Sequence, residues 1–107
     1  MPWSVETLNA TVVAELEALP ADMRAKFSRI AALIMAHGLD RIREPYVKHL
    51  EDALWEMRMS GRDGISRAIY VAAKGRRVVV VRVFVKKTER TPRSEIELAR
   101  RRAEEVR

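Results

Sequence analysis

Residues 54–87 read LWEMRMSGRDGISRAIYVAAKGRRVVVVRVFVKK, and the fold turns on how this stretch is divided. Leu54 to Met59 alternates in character, as a strand with two different faces does. Ser60-Gly61-Arg62-Asp63-Gly64 carries two glycines and reads as a turn. Ile65 to Ala72 reads as a second strand, with Ile65, Arg67, Ile69 and Val71 on one face. Lys74-Gly75 is a tight turn. Val78 to Val85 is almost unbroken in its apolar character, which suits a strand covered on both sides. Three strands joined by short turns make an antiparallel meander.

Outward from the meander, the pattern changes. Val47 and His49 extend the strand-like region upstream, and residues 39–45 form a polar connection. Before that, Val12, Val13, Leu16 and Leu19 recur at helical spacing, with Asn9 and Thr11 both able to cap. Pro20 ends this helix and sits at the start of a second, over residues 21–37, whose buried stripe is Met23, Phe27, Ile30, Leu33 and Ile34. Gly38 stops it. Trp3 to Glu6 is a short extended opening. Downstream, Thr91-Pro92 begins a last helix, Thr91 as cap, with Ile96, Leu98, Ala99, Ala103 and Val106 as a thin apolar stripe. The predicted order is β-α-α-β-β-β-α, an α+β fold in one domain over residues 1–107.

The bulk properties narrow the function classes. Hydrophobic residues make up 48% of the 107, enough for one modest core. No apolar run is long enough to span a membrane, and the first residues lack the pattern of a signal peptide, so a cytoplasmic protein with no membrane partner is expected. Cysteine is absent, which removes disulfide and thiolate chemistry. The formal net charge is +6, and it is concentrated: from Lys74 to Arg93 the only acid is Glu89, against eight lysines and arginines. Such a segment is either a solvated face or a patch for nucleic acid or another acidic partner.

Gly-rich phosphate loops and dinucleotide fingerprints are missing. The two histidines, His37 and His49, are too few and too far apart for a His-rich metal site, and neither a metal nor a cofactor is expected. What remains is arginine and lysine on strands. Glu56 and Arg58 share a face, Arg67 lies across the turn, and Lys86 and Lys87 stand where the third strand runs out. Arg58, Arg67 and one or both lysines are therefore expected to converge on one surface, either as a phosphate site or as ordinary charges at strand ends. Trp55 and Phe84 have two readings each, base stacking or core, and Tyr70 is open in the same way.

The phrases L-W-E-x-R ending at Arg58, R-x-x-Y from Arg67 to Tyr70, and F-x-K-K-T-x-x-T-P-x-x-E-I-x-x-A from Phe84 to Ala99 stand in order, after K-x-L at Lys48. Together they resemble the phage-related HigB branch of the RelE/ParE toxin superfamily. The resemblance implies a metal-independent endoribonuclease that cuts mRNA on the ribosome. It implies as partner a HigA-like antitoxin with a helix-turn-helix domain, through which alone operator DNA would be contacted. It also implies site roles. Arg58 falls at a basic catalytic position, Arg67 at the arginine that binds the scissile phosphate, and Lys87, with Lys86 beside it, at the residue that stabilises the transition state. Glu56 stands where RelE has lysine, and no C-terminal tyrosine is present. Glu56 and His49 are the local candidates for proton transfer. Lys48, Arg62, Lys74, Arg76, Arg82 and Arg90 are the expected RNA-contacting residues. The run Arg100-Arg101-Arg102 reads as a solvated helix face or as a contact for ribosomal RNA or the antitoxin. Two other functions share these features: a ParE-like toxin acting on gyrase, and a nucleic-acid-binding module without catalysis.

Overall fold

The computed structural model describes residues 2–86 and 89–107. Strand β1 (Ser4–Thr7) leads into helices α1 (Ala10–Glu17) and α2 (Ala21–His37), and a single 3-10 turn (Leu39–Arg41) follows. Strands β2 (Val47–Glu51), β3 (Leu54–Gly61), β4 (Gly64–Ala73) and β5 (Arg77–Lys86) come next, and helix α3 (Arg93–Ala103) closes the chain. The expected order holds, with β2 as one more short strand ahead of the three-stranded meander. The sheet runs β1-β5-β4-β3-β2; β1 lies parallel to β5 and every other pair is antiparallel. No helix among the described residues is long and apolar enough to cross a membrane.

The local causes are visible in the caps. The Asn9 side chain accepts a hydrogen bond from the Val12 amide and starts α1. Pro20 precedes α2 without a side-chain cap, and Gly38 ends it at φ 87°, a conformation that glycine adopts at little cost. Gly61 is needed for space: a Cβ there would lie 2.7 Å from the Asp22 carboxylate. That carboxylate accepts the Arg62 amide at 2.7 Å, and this bond holds the Asp22 pKa below its usual value. The start of α2 is thereby tied to the β3–β4 turn.

The two faces of the sheet are covered unequally. On one face the helical hairpin packs Val12, Met23, Phe27, Ile30 and Ile34 against Val47, Met57, Met59, Ala68, Tyr70, Val78 and Val80. On the other, α3 lays Ile96 and Ala99 over Leu54, Ile69, Val71, Val79, Val81 and Phe84. Tyr70 belongs to the hairpin-side core, and its burial pushes the phenol pKa up. α3 packs on β5 and β4, and the far end of its face, where β3 and β4 approach their turn, stays open.

Two departures from the sequence pattern shape the site. Thr91 does not cap α3; Pro92 takes the cap position with no side-chain bond, and the Thr91 hydroxyl goes elsewhere. A β-bulge also interrupts β5. Ile69 pairs with Arg82 and Tyr70 with Val80, so Val81 is an extra residue. Before the bulge Val79 and Val81 face α3; after it Arg82, Phe84 and Lys86 do. The shift of one position puts Lys86 on the open part of that face.

Candidate active site

Strand register brings the site together. Arg58 on β3 pairs directly with Arg67 on β4, and Arg67 pairs with Phe84 on β5. Glu56 lies two residues before Arg58 and pairs with Lys48 on β2. Lys86 lies two residues after Phe84, and residues paired across a sheet, or two apart along a strand, share a face. Glu56, Arg58, Arg67, Lys86, Lys48 and Phe84 therefore face the same side. Phe84 is 8% exposed and forms part of the α3-side core.

Burial of these charges is unusual. Glu56 is 1% exposed, Arg67 4% and Lys86 8%. Glu56 Oε2 lies 3.0 Å from Arg67 Nε and 3.5 Å from Arg58 Nε. Glu56 Oε1 accepts the Thr91 hydroxyl at 2.5 Å. The Glu56–arginine contacts are close but poorly directed, and the Nε atoms of Arg58 and Arg67 are buried without a hydrogen-bond partner among the described residues. One carboxylate thus faces two guanidinium groups and an ammonium. Burial lowers the Arg67 pKa, with Glu56 opposing the shift and Arg58 adding to it. Burial, and then the charge of Arg67, lowers the pKa of Lys86.

The cluster opens into a cavity of about 840 Å³. Arg58, Arg67 and Lys86 line one part of it, and it continues past Ser60 to Lys26, Arg29 and Ile30 of α2, with Tyr46 and Ile65 at its sides. Sequence reasoning missed Lys26, Arg29 and Tyr46. On α2 the two cations look like any polar flank, and no signal in the sequence says that a strand edge lies beside them. Among the described residues no three His, Cys, Asp or Glu side chains gather where a metal ion would be held.

The remaining expected residues scatter. Lys87 lies outside the described residues. His49 does not join the cluster: it pairs with Trp55, packs on that ring at 4.9 Å between centroids, and its Nε2 lies 2.7 Å from the Asp52 carbonyl. One residue out of phase with Lys48 and Glu56, it points to the opposite side of the sheet, where Trp55 and Tyr70 line a separate pocket. Neither Trp55 nor Tyr70 lines the cluster's cavity, and as a proton carrier for the cluster His49 is excluded by position. Lys74 and Arg76 sit in the β4–β5 turn, at the other end of β4 from Arg67. Arg82 is held between Glu15 and Glu95, at 2.8 and 2.6 Å, and so is not a free RNA contact. Arg62 follows β3 in the turn that Asp22 ties down. Arg90 is exposed just after β5. Arg100 pairs with Glu51 and Asp52, and Arg102 with Glu15, so two of the three arginines that read as a solvated face tie α3 to the rest of the molecule.

A five-stranded sheet with a helical hairpin on one face and a single C-terminal helix on half of the other is the RelE toxin fold. A mutant of Escherichia coli toxin RelE in the free state superposes with a TM-score of 0.62 at 14% identity, covering 95% of this chain and 98% of that one. RelE from the archaeal RelE–RelB complex of Pyrococcus horikoshii OT3 gives 0.58 at 23% identity, over 81% of this chain and 98% of that one. At these identities the likeness is one of fold. The family is set by sequence: residues 14–104 match the model described as "Phage derived protein Gp49-like (DUF891)", and the chain belongs to that family. No curated protein matches the sequence.

Proposed function

We propose that this chain is the toxin of a toxin–antitoxin pair and an endoribonuclease, with Arg58, Arg67 and Lys86 as the place where a phosphodiester breaks. The fold supports the toxin assignment. The observation that carries the chemistry is the surplus of positive charge around Glu56, supplied by three adjacent strands on one face.

RNA cleavage of this type needs no metal. The ribose 2′-oxygen attacks the neighbouring phosphorus and the bond to the 5′-oxygen breaks, leaving a cyclic phosphate and a free 5′-hydroxyl. Negative charge spreads over the non-bridging oxygens as this happens, and the guanidinium groups of Arg58 and Arg67, which line the cavity, supply donors to them. Glu56, fixed by Thr91, holds both guanidinium groups in place. The 2′-hydroxyl loses its proton to solvent, and the leaving 5′-oxygen takes one from Lys86, whose lowered pKa suits an acid. Lys87 belongs to the same proposal by resemblance. So do mRNA on the ribosome as substrate and a helix-turn-helix antitoxin as inhibitor; the archaeal structural neighbour is held in a RelE–RelB complex.

The test is expression of the chain alone, with transcript 5′ ends mapped. Growth arrest with new 5′ ends, both lost in a folded Arg67→Ala variant, is the expected result. Arrest with intact transcripts and broken DNA would replace this reading with a gyrase-directed one.

A further inference from the structure

Five arginines outside the cavity are matched by acids: Arg77 by Glu6, Arg82 by Glu15 and Glu95, Arg93 by Glu51 and Glu97, Arg100 by Glu51 and Asp52, Arg102 by Glu15. Lys26 and Arg29 form no ion pair with any described residue. Lys26 Nζ is 3.2 Å from the Ser60 hydroxyl, and both cations line the cavity that holds the cluster. Ser60 is two residues beyond Arg58 on the same strand and face, about 6.6 Å along it. That distance is on the order of one step between neighbouring phosphates of an extended single strand. The edge of β3 is open here, because β2 pairs no further along β3 than Met57. Tyr46, 41% exposed, stands at the rim, and its carbonyl accepts the Arg58 amide at 2.8 Å.

We propose that Lys26, Arg29 and Tyr46 form a second subsite for single-stranded RNA, which holds the nucleotide next to the scissile one. The two cations grip its phosphate and the tyrosine ring stacks on its base. The inference rests on the ribonuclease reading for what occupies the cluster, and it extends that site across the strand edge onto α2. An acidic peptide segment would find the same cations but would gain little from an aromatic ring beside them.

The experiment measures binding of a 2′-O-methyl octanucleotide, which cannot be cleaved, by fluorescence anisotropy over a range of salt. In the double variant Lys26→Ala/Arg29→Ala affinity should fall at least tenfold, and the slope of log K against log salt should flatten by about 0.7, the value for one phosphate on a single strand. Tyr46→Ala should lose about tenfold and Tyr46→Phe almost nothing, as stacking requires. All three positions are exposed, and circular dichroism checks that the variants fold. Equal affinity and slope in the folded double variant overturn the subsite. So does loss of binding to a glutamate-rich peptide with oligonucleotide binding unchanged, which would assign the cations to a protein partner. Cleavage by the unaltered chain of the corresponding 2′-hydroxyl RNA, free and bound to ribosomes, is followed in parallel, and absent cleavage means absent in both. Absent cleavage with binding that depends on Lys26 and Arg29 rejects the ribonuclease and keeps the subsite; cleavage with binding indifferent to them does the reverse. An unaltered chain that binds no oligonucleotide rejects the subsite, and one that also cleaves no ribosome-bound RNA rejects both.

Discussion

Glu15 and Glu56 each stand at the centre of a group of cations, and the two groups are built differently. Glu15 accepts the Val83 amide at 3.1 Å and pairs with Arg82 at 2.8 Å and Arg102 at 2.9 Å. Glu95 takes the other edge of Arg82, and Arg102 also donates to the Val81 carbonyl. Two carboxylates meet two guanidinium groups, and the donors are well directed. This network also serves the backbone: β1 pairs with β5 no further than Val80, and Glu15 takes the amide of Val83 beyond that point. At Glu56 one carboxylate meets two guanidinium groups and a lysine, and two buried Nε atoms go without partners among the described residues. A charge network made for stability closes on itself. One made to receive an anion leaves a surplus, and the fold has to carry its cost.

Four changes test this contrast. Arg67→Ala should lower the cleavage rate by about 10²–10³-fold, the effect of losing one well-placed donor to a developing oxyanion. Single-turnover kinetics on a folded sample measures it, and an unchanged rate would remove Arg67 from the site. Glu15→Ala should leave the rate per folded molecule unaltered and cost about 2–3 kcal/mol of stability, through a lost backbone partner and two arginines each left with one partner fewer. Urea denaturation reads this directly. A stability loss no larger than that of an exposed pair would dissolve the distinction between the two networks.

Lys86 gives a pH signature. Because its folded pKa is depressed, the unfolded chain binds more protons between the folded pKa and the ordinary lysine value. Through that window the contribution of Lys86 to stability rises with pH. The cleavage rate should fall as pH rises through the depressed pKa, as the ammonium is lost. Lys86→Arg, which stays charged, should move any stability rise and rate loss out of this range; alkaline profiles of Tm and rate that match those of the unaltered chain would show that Lys86 takes no part in either. The smallest effect belongs to Arg100→Ala. Its partners Glu51 and Asp52 are partly to fully exposed, and about 0.5 kcal/mol is expected. Thermal melts at low and high salt should bring even that difference towards zero.

The meander and the helical hairpin were legible because their periods differ: alternation near two in residues 54–59 and 65–72, and near 3.6 in residues 21–37. The convergence of Arg58 and Arg67 was legible for the same reason, since alternation fixes faces; it left Lys86 and Lys87 both open, and the bulge in β5 brings Lys86 to that face. Three features were not. Thr91 looked like a cap because Thr-Pro usually opens a helix, yet its hydroxyl finds a buried carboxylate, a stronger acceptor than a backbone group. His49 looked close to Glu56 in sequence, but odd and even positions of β2 face opposite ways. Lys26 and Arg29 acquire their neighbourhood only from tertiary packing, as β3 brings Ser60 beside α2.

The bulge at Val81 decides more than local geometry. Counted by twos from Val79, the α3 face would receive positions 83, 85 and 87; the supernumerary valine shifts the count, and Arg82, Phe84 and Lys86 arrive instead. β5 thus behaves like a text with a frame, and the bulge absorbs one extra letter so that the residues after it, Lys86 among them, keep the phase of a strand without it. Deleting Val81 should therefore leave Lys86 on the same face, a change of length made without a change of phase.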